Sequence, residues 1–244
     1  NNPSYRIGQR MTNFITNNHK PFAFSEYGCG GNNQCHSENF QSTTQLGTST
    51  GDTDDTEKRR HDIEYHMWLH EGHIAAIKNY PELIFTSMWM LFDIAVSNAK
   101  KREEGYTICL DNVTTANDDK QRYLNNKGLV ERDHKTKKDT FYIYKAWWSD
   151  EPFIHLCGKR FKYRPGRETE ITVYTNQKEV SLYQNGKLIE KKTGAHAFHF
   201  KIKLEKENQI KVRCGELMDS AVIYRSHKLR PEYKVKKGKS QNWV

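Results

Sequence analysis

Two apolar runs separated by a helical pattern constrain the fold of the first half of the chain. Residues 21–24 form a short apolar run, and residues 83–93 form a longer one. Continuous apolar runs, as opposed to alternating ones, are typical of parallel strands buried on both faces. Between them, residues 57–79 place apolar or neutral side chains at helical spacing, and Pro81 closes the helix. The pattern predicts a βαβ unit.

A glutamate stands at the end of the first predicted strand, in Ser25-Glu26-Tyr27-Gly28. Barrel enzymes keep their chemistry at the C-terminal tips of buried strands, so Glu26 is a candidate catalytic carboxylate. A solvated loop acid or a cap is the ordinary alternative. The second strand ends in Trp89 and Asp93, and Asp93 is expected either to orient neighbouring loops or to meet a cation.

The second half of the chain has a different pattern, with short alternating runs separated by turn signals. Asn185-Gly186, between two such runs, is a strong signal for a hairpin. The pattern predicts an immunoglobulin-like β-sandwich over residues 151–226. The basic residues 227–244 are expected to be extended, with Trp243 packed back on the body. The predicted strands are residues 153–163, 170–174, 180–183, 187–191, 197–204, 209–213 and 221–224.

The formal net charge of +9 raises the question of a nucleic-acid partner. The basic residues alternate along the predicted strands, as in Lys201, Lys203, Lys211 and Arg213, which is typical of the solvent-facing side of an antiparallel sheet. No apolar stretch approaches the ~20 residues that a membrane span needs. We therefore expect no nucleic-acid partner and no membrane span.

Cysteines and histidines are present without the spacing of a known metal site. The five cysteines are odd in number, and Cys29 and Cys35 are either paired or, as we expect, free thiols. On the predicted helix, the apolar stripe includes His70 as a core histidine, whereas His66 and His73 lie on a flanking face. The sequence therefore predicts no metal site and no cofactor.

Five motifs in a fixed order closely resemble the C-terminal part of glycoside hydrolase family 2 enzymes, most of all the β-galactosidase-type members. The resemblance implies the C-terminal portion of a (β/α)8 TIM barrel over residues 1–150, followed by the immunoglobulin-like β-sandwich, an α/β plus all-β chain. The motifs are Ser25-Glu26-Tyr27-Gly28, a following helix, Trp89 with Phe92-Asp93, Asn125-Asn126-Lys127-Gly128-Leu129-Val130, and Lys138-Asp139-Thr140-Phe141-Tyr142 continuing to Trp147.

The resemblance also implies a chemistry, that of a retaining exo-glycosidase acting on terminal β-linked sugars of oligo- or polysaccharides. Glu26 aligns with the nucleophile, and Trp89 aligns with the aromatic residue of the sugar subsite, unless it is barrel core. Asn125 and Lys127 match a pair that contacts sugar hydroxyls or, in β-glucuronidases of the family, the uronic acid; a solvated loop pair is the alternative. β-Glucuronides are therefore the alternative substrate class.

The chain departs from the family pattern in several ways. A whole barrel needs about 250 residues, and the Asn-Glu pair that carries the general acid/base is absent. Cys29 stands where lactose-splitting bacterial members have histidine, and insertions at 40–56 and 106–123 are expected to shape the substrate site. We expect a fragment that is inactive alone, with the N-terminal remainder of the same enzyme as partner, in a periplasmic or extracellular location. The alternative is a non-catalytic carbohydrate-binding or structural module.

Overall fold

The computed structural model describes residues 12–14, 17, 20–31, 33, 36, 63–96, 123–125 and 127–226. They divide into two compact units between Thr140 and Phe141. Several predictions concern segments outside the described residues: both insertions, the C-terminal segment with Trp243, and Cys35. In the part of the chain that is described, no helix combines the length and the apolar character that crossing a membrane requires.

The first unit contains the predicted βαβ arrangement. Strand β1 (Phe22–Tyr27) runs parallel to β2 (Leu83–Met88), and helix α1 (Ile63–Ile77) connects them. Cα partners run from Phe22 and Leu83 to Tyr27 and Met88. Apolar side chains of both strands pack on Ala76 of the helix, so α1 covers one face of the strand pair. The βαβ prediction is confirmed.

The second predicted strand is shorter and less buried than its apolar run suggests. The regular part of β2 ends at Met88, and the backbone is irregular from there to β3 (Ile94–Val96). Strand β3 pairs antiparallel with β4 (Tyr123–Asn125). The prediction of burial on both faces is wrong for the described residues, because Ile84 is 70% exposed and Phe85 is 57% exposed. The described parallel sheet has two strands, and the TIM-barrel portion stays a prediction.

A connecting segment links the strand ends of the first unit to helix α2 (Asp139–Trp148). Val130 forms a parallel bridge with Phe92 and an antiparallel bridge with Lys137. The backbone N–H of Lys138 then donates to the carbonyl of Leu129 at 2.9 Å. This segment therefore runs alongside the residues that follow β2, and it ends where the predicted helix begins.

Two β-sheets form the second unit around a shared apolar core. One sheet has the order β10-β7-β5, and the other has the order β6-β12-β11-β8-β9. This is the predicted β-sandwich, while its immunoglobulin-like class stays a prediction. The strands are β5 (Ile154–Leu156), β6 (Tyr163–Arg164), β7 (Glu168–Thr175), β8 (Glu179–Gln184), β9 (Lys187–Thr193), β10 (His196–Lys203), β11 (Glu207–Cys214) and β12 (Leu217–Arg225). The core consists of Leu156, Ile171, Val173, Val180, Leu182, Phe198, Phe200, Ile202, Leu204, Ile210, Val212 and Ile223.

Local sequence signals account for much of this unit. Asn185 and Gly186 both have positive φ, 51° and 79°, which is the conformation of a type I′ hairpin turn between β8 and β9. Along β11, buried and exposed residues alternate, so that Lys211 and Arg213 face solvent as predicted. The hairpin and the solvent-facing basic rows are therefore confirmed.

The predicted strand over residues 153–163 is wrong in its central part. Ile154–Leu156 is strand and Tyr163 begins β6, but residues 157–160 between them form a turn. The buried Arg164 guanidinium donates to the carbonyl oxygens of Gly158 and Phe161, both at 3.3 Å. The Arg164 guanidinium thus holds these residues in a turn. The alternation of apolar and polar residues in the sequence does not reveal this contact.

Candidate active site

Glu26 is the penultimate residue of β1, and its side chain is exposed, whereas the next residue, Tyr27, is buried. The chain then turns sharply at Gly28, where φ is +145°. A Cβ at this position would lie 2.5 Å from the backbone oxygen of Trp89. Only glycine allows this approach, so the glycine of the motif brings the ends of the two parallel strands together.

Trp89 lies directly after β2 and is joined to the end of β1. Its backbone N–H donates to the carbonyl of Tyr27 at 2.8 Å. Trp89 is 45% exposed in this chain, and its role in a sugar subsite stays a prediction. The following peptide bond, to Met90, is cis. A large ring is thus presented near the strand end that carries Glu26.

Lys127 reaches the same region through the connecting segment. The N–H of Met90 donates to the carbonyl of Lys127 at 3.3 Å, and the N–H of Val130 donates to the carbonyl of Leu91 at 2.9 Å. The ladder continues with the N–H of Asp93, which donates to the carbonyl of Val130 at 2.9 Å. Residues 127–130 are therefore held against residues 90–93 by backbone hydrogen bonds.

Three of the four candidate residues, Glu26, Trp89 and Lys127, thus lie on neighbouring stretches of backbone. Trp89 bonds to Tyr27, which follows Glu26, and Lys127 bonds to Met90, which follows Trp89. Asn125 lies two residues before Lys127, and its backbone pairs with Ile94 in the β3–β4 ladder. The arrangement offers one carboxylate, one aromatic ring and one cation along neighbouring stretches of backbone. In general, a carboxylate can act as a nucleophile, an indole ring can stack on an apolar surface, and an ammonium can pair with an anion.

Beneath these strand ends lies a buried ion pair between Asp93 and Lys138. Lys138 Nζ lies 2.8 Å from Asp93 Oδ1 and donates to the carbonyl of Gly31 at 2.9 Å. Asp93 Oδ1 also accepts a hydrogen bond from the N–H of Gly128 at 2.8 Å. Burial raises the pKa of Asp93 to about 6, although Lys138 and Gly128 lower it, and burial lowers the pKa of Lys138.

This ion pair fits the loop-orienting role expected for Asp93, while the binding of a cation there stays a prediction. The Asp93 and Lys138 side chains together bind the loops that follow β1, β2 and β4. A second buried contact, between Asn33 Nδ2 and Glu131 Oε1 at 2.6 Å, joins the same loops. Sequence reasoning missed Lys138, because a lysine beside another lysine and an aspartate indicates a solvated segment.

The histidines of α1 are more buried than predicted. His70 is fully buried, which confirms its prediction as a core histidine. His66 is also fully buried, so the prediction that it lies on a flanking face is wrong. The loop after β1 covers this residue closely, because a Cβ added at Gly31 would lie 2.3 Å from His66 Cβ. Burial lowers the pKa of His70 to about 3 and that of His73 to about 4.

Comparison with known proteins gives relatives in sequence, of which two are described below, although no family model matches the chain. A β-glucuronidase of Bacteroides fragilis is 31% identical over 127 residues, which is 52% of this chain and 16% of that enzyme. A β-galactosidase of Bacteroides ovatus is 39% identical over 51 residues, which is 20% of this chain and 6% of that enzyme. The chain is a relative of the β-glucuronidases and β-galactosidases of glycoside hydrolase family 2.

A solved structure extends this family relationship over nearly the whole chain. The FMN-binding β-glucuronidase from Facaelibacterium prausnitzii L2-6 matches with a TM-score of 0.73 and 27% identity. The match covers 96% of this chain and 31% of that protein. The chain therefore spans less than a third of the length of these relatives, and it corresponds to one part of such an enzyme.

Proposed function

We propose that this chain is the nucleophile-bearing part of a retaining exo-glycosidase that releases terminal β-glucuronic acid. The observation that carries the proposal is the junction of Glu26, Trp89 and Lys127 at the ends of two parallel strands. The relationship to glycosidases of family 2 supports it, and the relative matched over the longest stretch among those compared above is a β-glucuronidase.

Glu26 acts as the nucleophile in this proposal. A retaining glycosidase needs an ionised carboxylate that attacks the anomeric carbon, and a second carboxyl group about 5–5.5 Å away that protonates the leaving oxygen. The exposed Glu26, the penultimate residue of a hydrogen-bonded strand, fits the first requirement. The second carboxyl comes from the N-terminal remainder of the same enzyme.

Trp89, Lys127 and Asn125 bind the sugar. The partly exposed ring of Trp89 offers an apolar surface on which a pyranose can lie. The Lys127 ammonium is a point charge suited to the carboxylate of a glucuronide. The preference for a glucuronide over a galactoside is taken from the β-glucuronidase relative. Asn125 provides hydrogen bonds to hydroxyl or carboxylate oxygens. Cys29 also differs from the histidine of lactose-splitting members, which argues against lactose as substrate.

The exposed apolar residues of the first unit support the proposed partner. Ile84, Phe85 and Leu91 are each at least half exposed, at 70%, 57% and 50%. Exposed apolar side chains that cluster on neighbouring positions mark surfaces that other polypeptide covers. The N-terminal remainder of the enzyme covers them, and it completes the barrel around Glu26.

A chimera tests the proposal. The matching part of the F. prausnitzii β-glucuronidase is replaced by this chain, and hydrolysis of an aryl β-glucuronide and an aryl β-galactoside is compared. We expect turnover of the glucuronide, lowered by more than about 10⁴-fold in Glu26→Gln because the nucleophile is lost. Glu82→Gln, which changes an exposed acid in the turn before β2, is the matched control and is expected to leave kcat unchanged. Equal losses in both variants would contradict the assignment.

A further inference from the structure

A cysteine and two histidines converge in the interior of the first unit. Cys29 lies in the loop after β1, and His66 and His70 lie one turn apart on α1. One ligand atom from each of the three lies within 4.8 Å of the other two. All three residues are buried, with exposures of 9%, 0% and 0%. Neither the proposed catalysis nor the relatives' names account for this cluster.

The donor set and spacing suit a transition metal. Two histidines at i and i+4 project from the same face of a helix. With bonds of about 2.3 Å to sulfur and 2.0–2.1 Å to nitrogen, the donors of a tetrahedral zinc site lie about 3.3–3.6 Å apart. Since the ligand atoms lie within 4.8 Å of one another, each pair needs to close by at most about 1.2–1.5 Å to reach this geometry.

The surroundings orient one of the two histidines. Nδ1 of His66 lies 2.9 Å from the Thr140 hydroxyl, a contact that fixes the orientation of this ring. Gly28 directly precedes Cys29, and Gly31 follows it by two positions. Added Cβ atoms at these two glycines would lie 3.5 Å from His70 Cε1 and 2.3 Å from His66 Cβ, respectively. Two glycines thus let the loop that carries Cys29 lie directly on the histidine face of α1.

We propose that Cys29, His66 and His70 bind a divalent transition metal ion of the zinc class. One thiolate and two imidazoles are the mixed sulfur and nitrogen donors that zinc prefers, and a three-residue set leaves a fourth position open. Binding releases the Cys29 thiol proton to solvent and forms the metal–sulfur bond. Cys29 lies in the loop after β1, three residues after Glu26, and both histidines lie on α1. A bound ion would therefore tie this loop to the helix. This inference is independent of the proposed glycosidase activity.

The test uses the full 244-residue chain, purified without a polyhistidine tag and treated with a chelator. We expect one equivalent of Zn²⁺ to bind, and Co²⁺ to give a thiolate-to-metal charge-transfer band. Cys29→Ser and His70→Gln are expected to remove the band, whereas Cys214→Ser, at a half-buried cysteine of the second unit, keeps it. Thr140→Val is expected to weaken Zn²⁺ binding about 10- to 100-fold, because His66 loses its orienting contact.

A measurement on the unmodified chain guards against variants that fail to fold. The X-ray absorption spectrum of the zinc-loaded chain is expected to fit one sulfur and two imidazole nitrogens. A spectrum without sulfur would overturn the proposal. Failure of the chain to bind Zn²⁺, when its circular dichroism shows that it is folded, would also overturn the proposal. An unchanged charge-transfer band in Cys29→Ser would overturn it as well.

Discussion

The buried ion pair between Lys138 and Asp93 provides a sharp test of how the strand-end loops are held together. Lys138 is 1% exposed and touches both the Asp93 carboxylate and the carbonyl of Gly31. Lys138→Met keeps most of the side-chain volume and removes the charge. The Asp93 carboxylate is then left buried without its cation, while its hydrogen bond from Gly128 remains.

Removing one partner of a buried ion pair costs about 3–5 kcal/mol, because the other charge stays desolvated. Asp93→Asn is expected to cost a similar amount for the same reason, with the amide oxygen still able to accept from Gly128. The double variant Lys138→Met/Asp93→Asn removes both charges together. Its cost is expected to be smaller than the sum of the single costs by more than about 2 kcal/mol.

Native-state hydrogen exchange at the amide of Val130 reports this effect within the first unit, since that N–H donates to Leu91 in the connecting ladder. The free energy of opening is measured for the native chain and for the three variants. Lys191→Met is the control, because the exposed ion pair of Lys191 with Glu179 is worth at most about 1 kcal/mol. If Lys138→Met costs no more than Lys191→Met, or if the two single costs add, the reasoning is refuted.

Three further changes have expected outcomes. Gly28→Ala forces a Cβ against the Trp89 carbonyl at a positive φ, so we expect a loss of at least about 2 kcal/mol in the same exchange assay; native-like exchange would show that the strand ends are not in close contact. Asn208→Ala leaves Gln184 and the carbonyl of Ile223 without the buried amide they bind, and urea unfolding of the second unit is expected to show a loss of at least about 2 kcal/mol. In the chimera, Lys127→Met is expected to lower kcat/KM for glucuronides roughly 10- to 150-fold, with little change for galactosides; equal losses for both sugars would assign this lysine to the structure of the loop.

Local patterns in the sequence predicted the elements whose structure depends on neighbouring residues. The Asn185-Gly186 turn is specified by the need for positive φ, and the alternation along β11 is specified by one buried and one solvated face. The βαβ unit follows in the same way from apolar strands and a helical stripe. The ends of the second strand were not predicted, because an apolar run does not show where hydrogen-bonded pairing stops.

Contacts between residues distant in sequence explain what the sequence could not reveal. Lys138 is buried because Asp93 and Gly31 meet it from two other loops. Cys29 lies beside the histidines of α1 because a glycine at position 31 allows the loop to approach His66. Neither residue belongs to a short motif with metal-ligand or ion-pair spacing. The positions of Glu26, Trp89 and Lys127 were suggested by the family resemblance, and their chemical roles stay predictions.

Trapping of a covalent intermediate would test the central claim most directly. The chimera is mixed with an aryl β-glucuronide, quenched in acid during turnover, digested, and analysed by peptide mass spectrometry. A retaining mechanism forms a glycosyl-enzyme ester on the nucleophile, so we expect a glucuronosyl adduct on the peptide that contains Glu26, absent in Glu26→Gln. A turning-over enzyme whose adduct lies on another carboxylate, or one that forms no adduct and inverts the anomeric configuration, would contradict the assignment of Glu26.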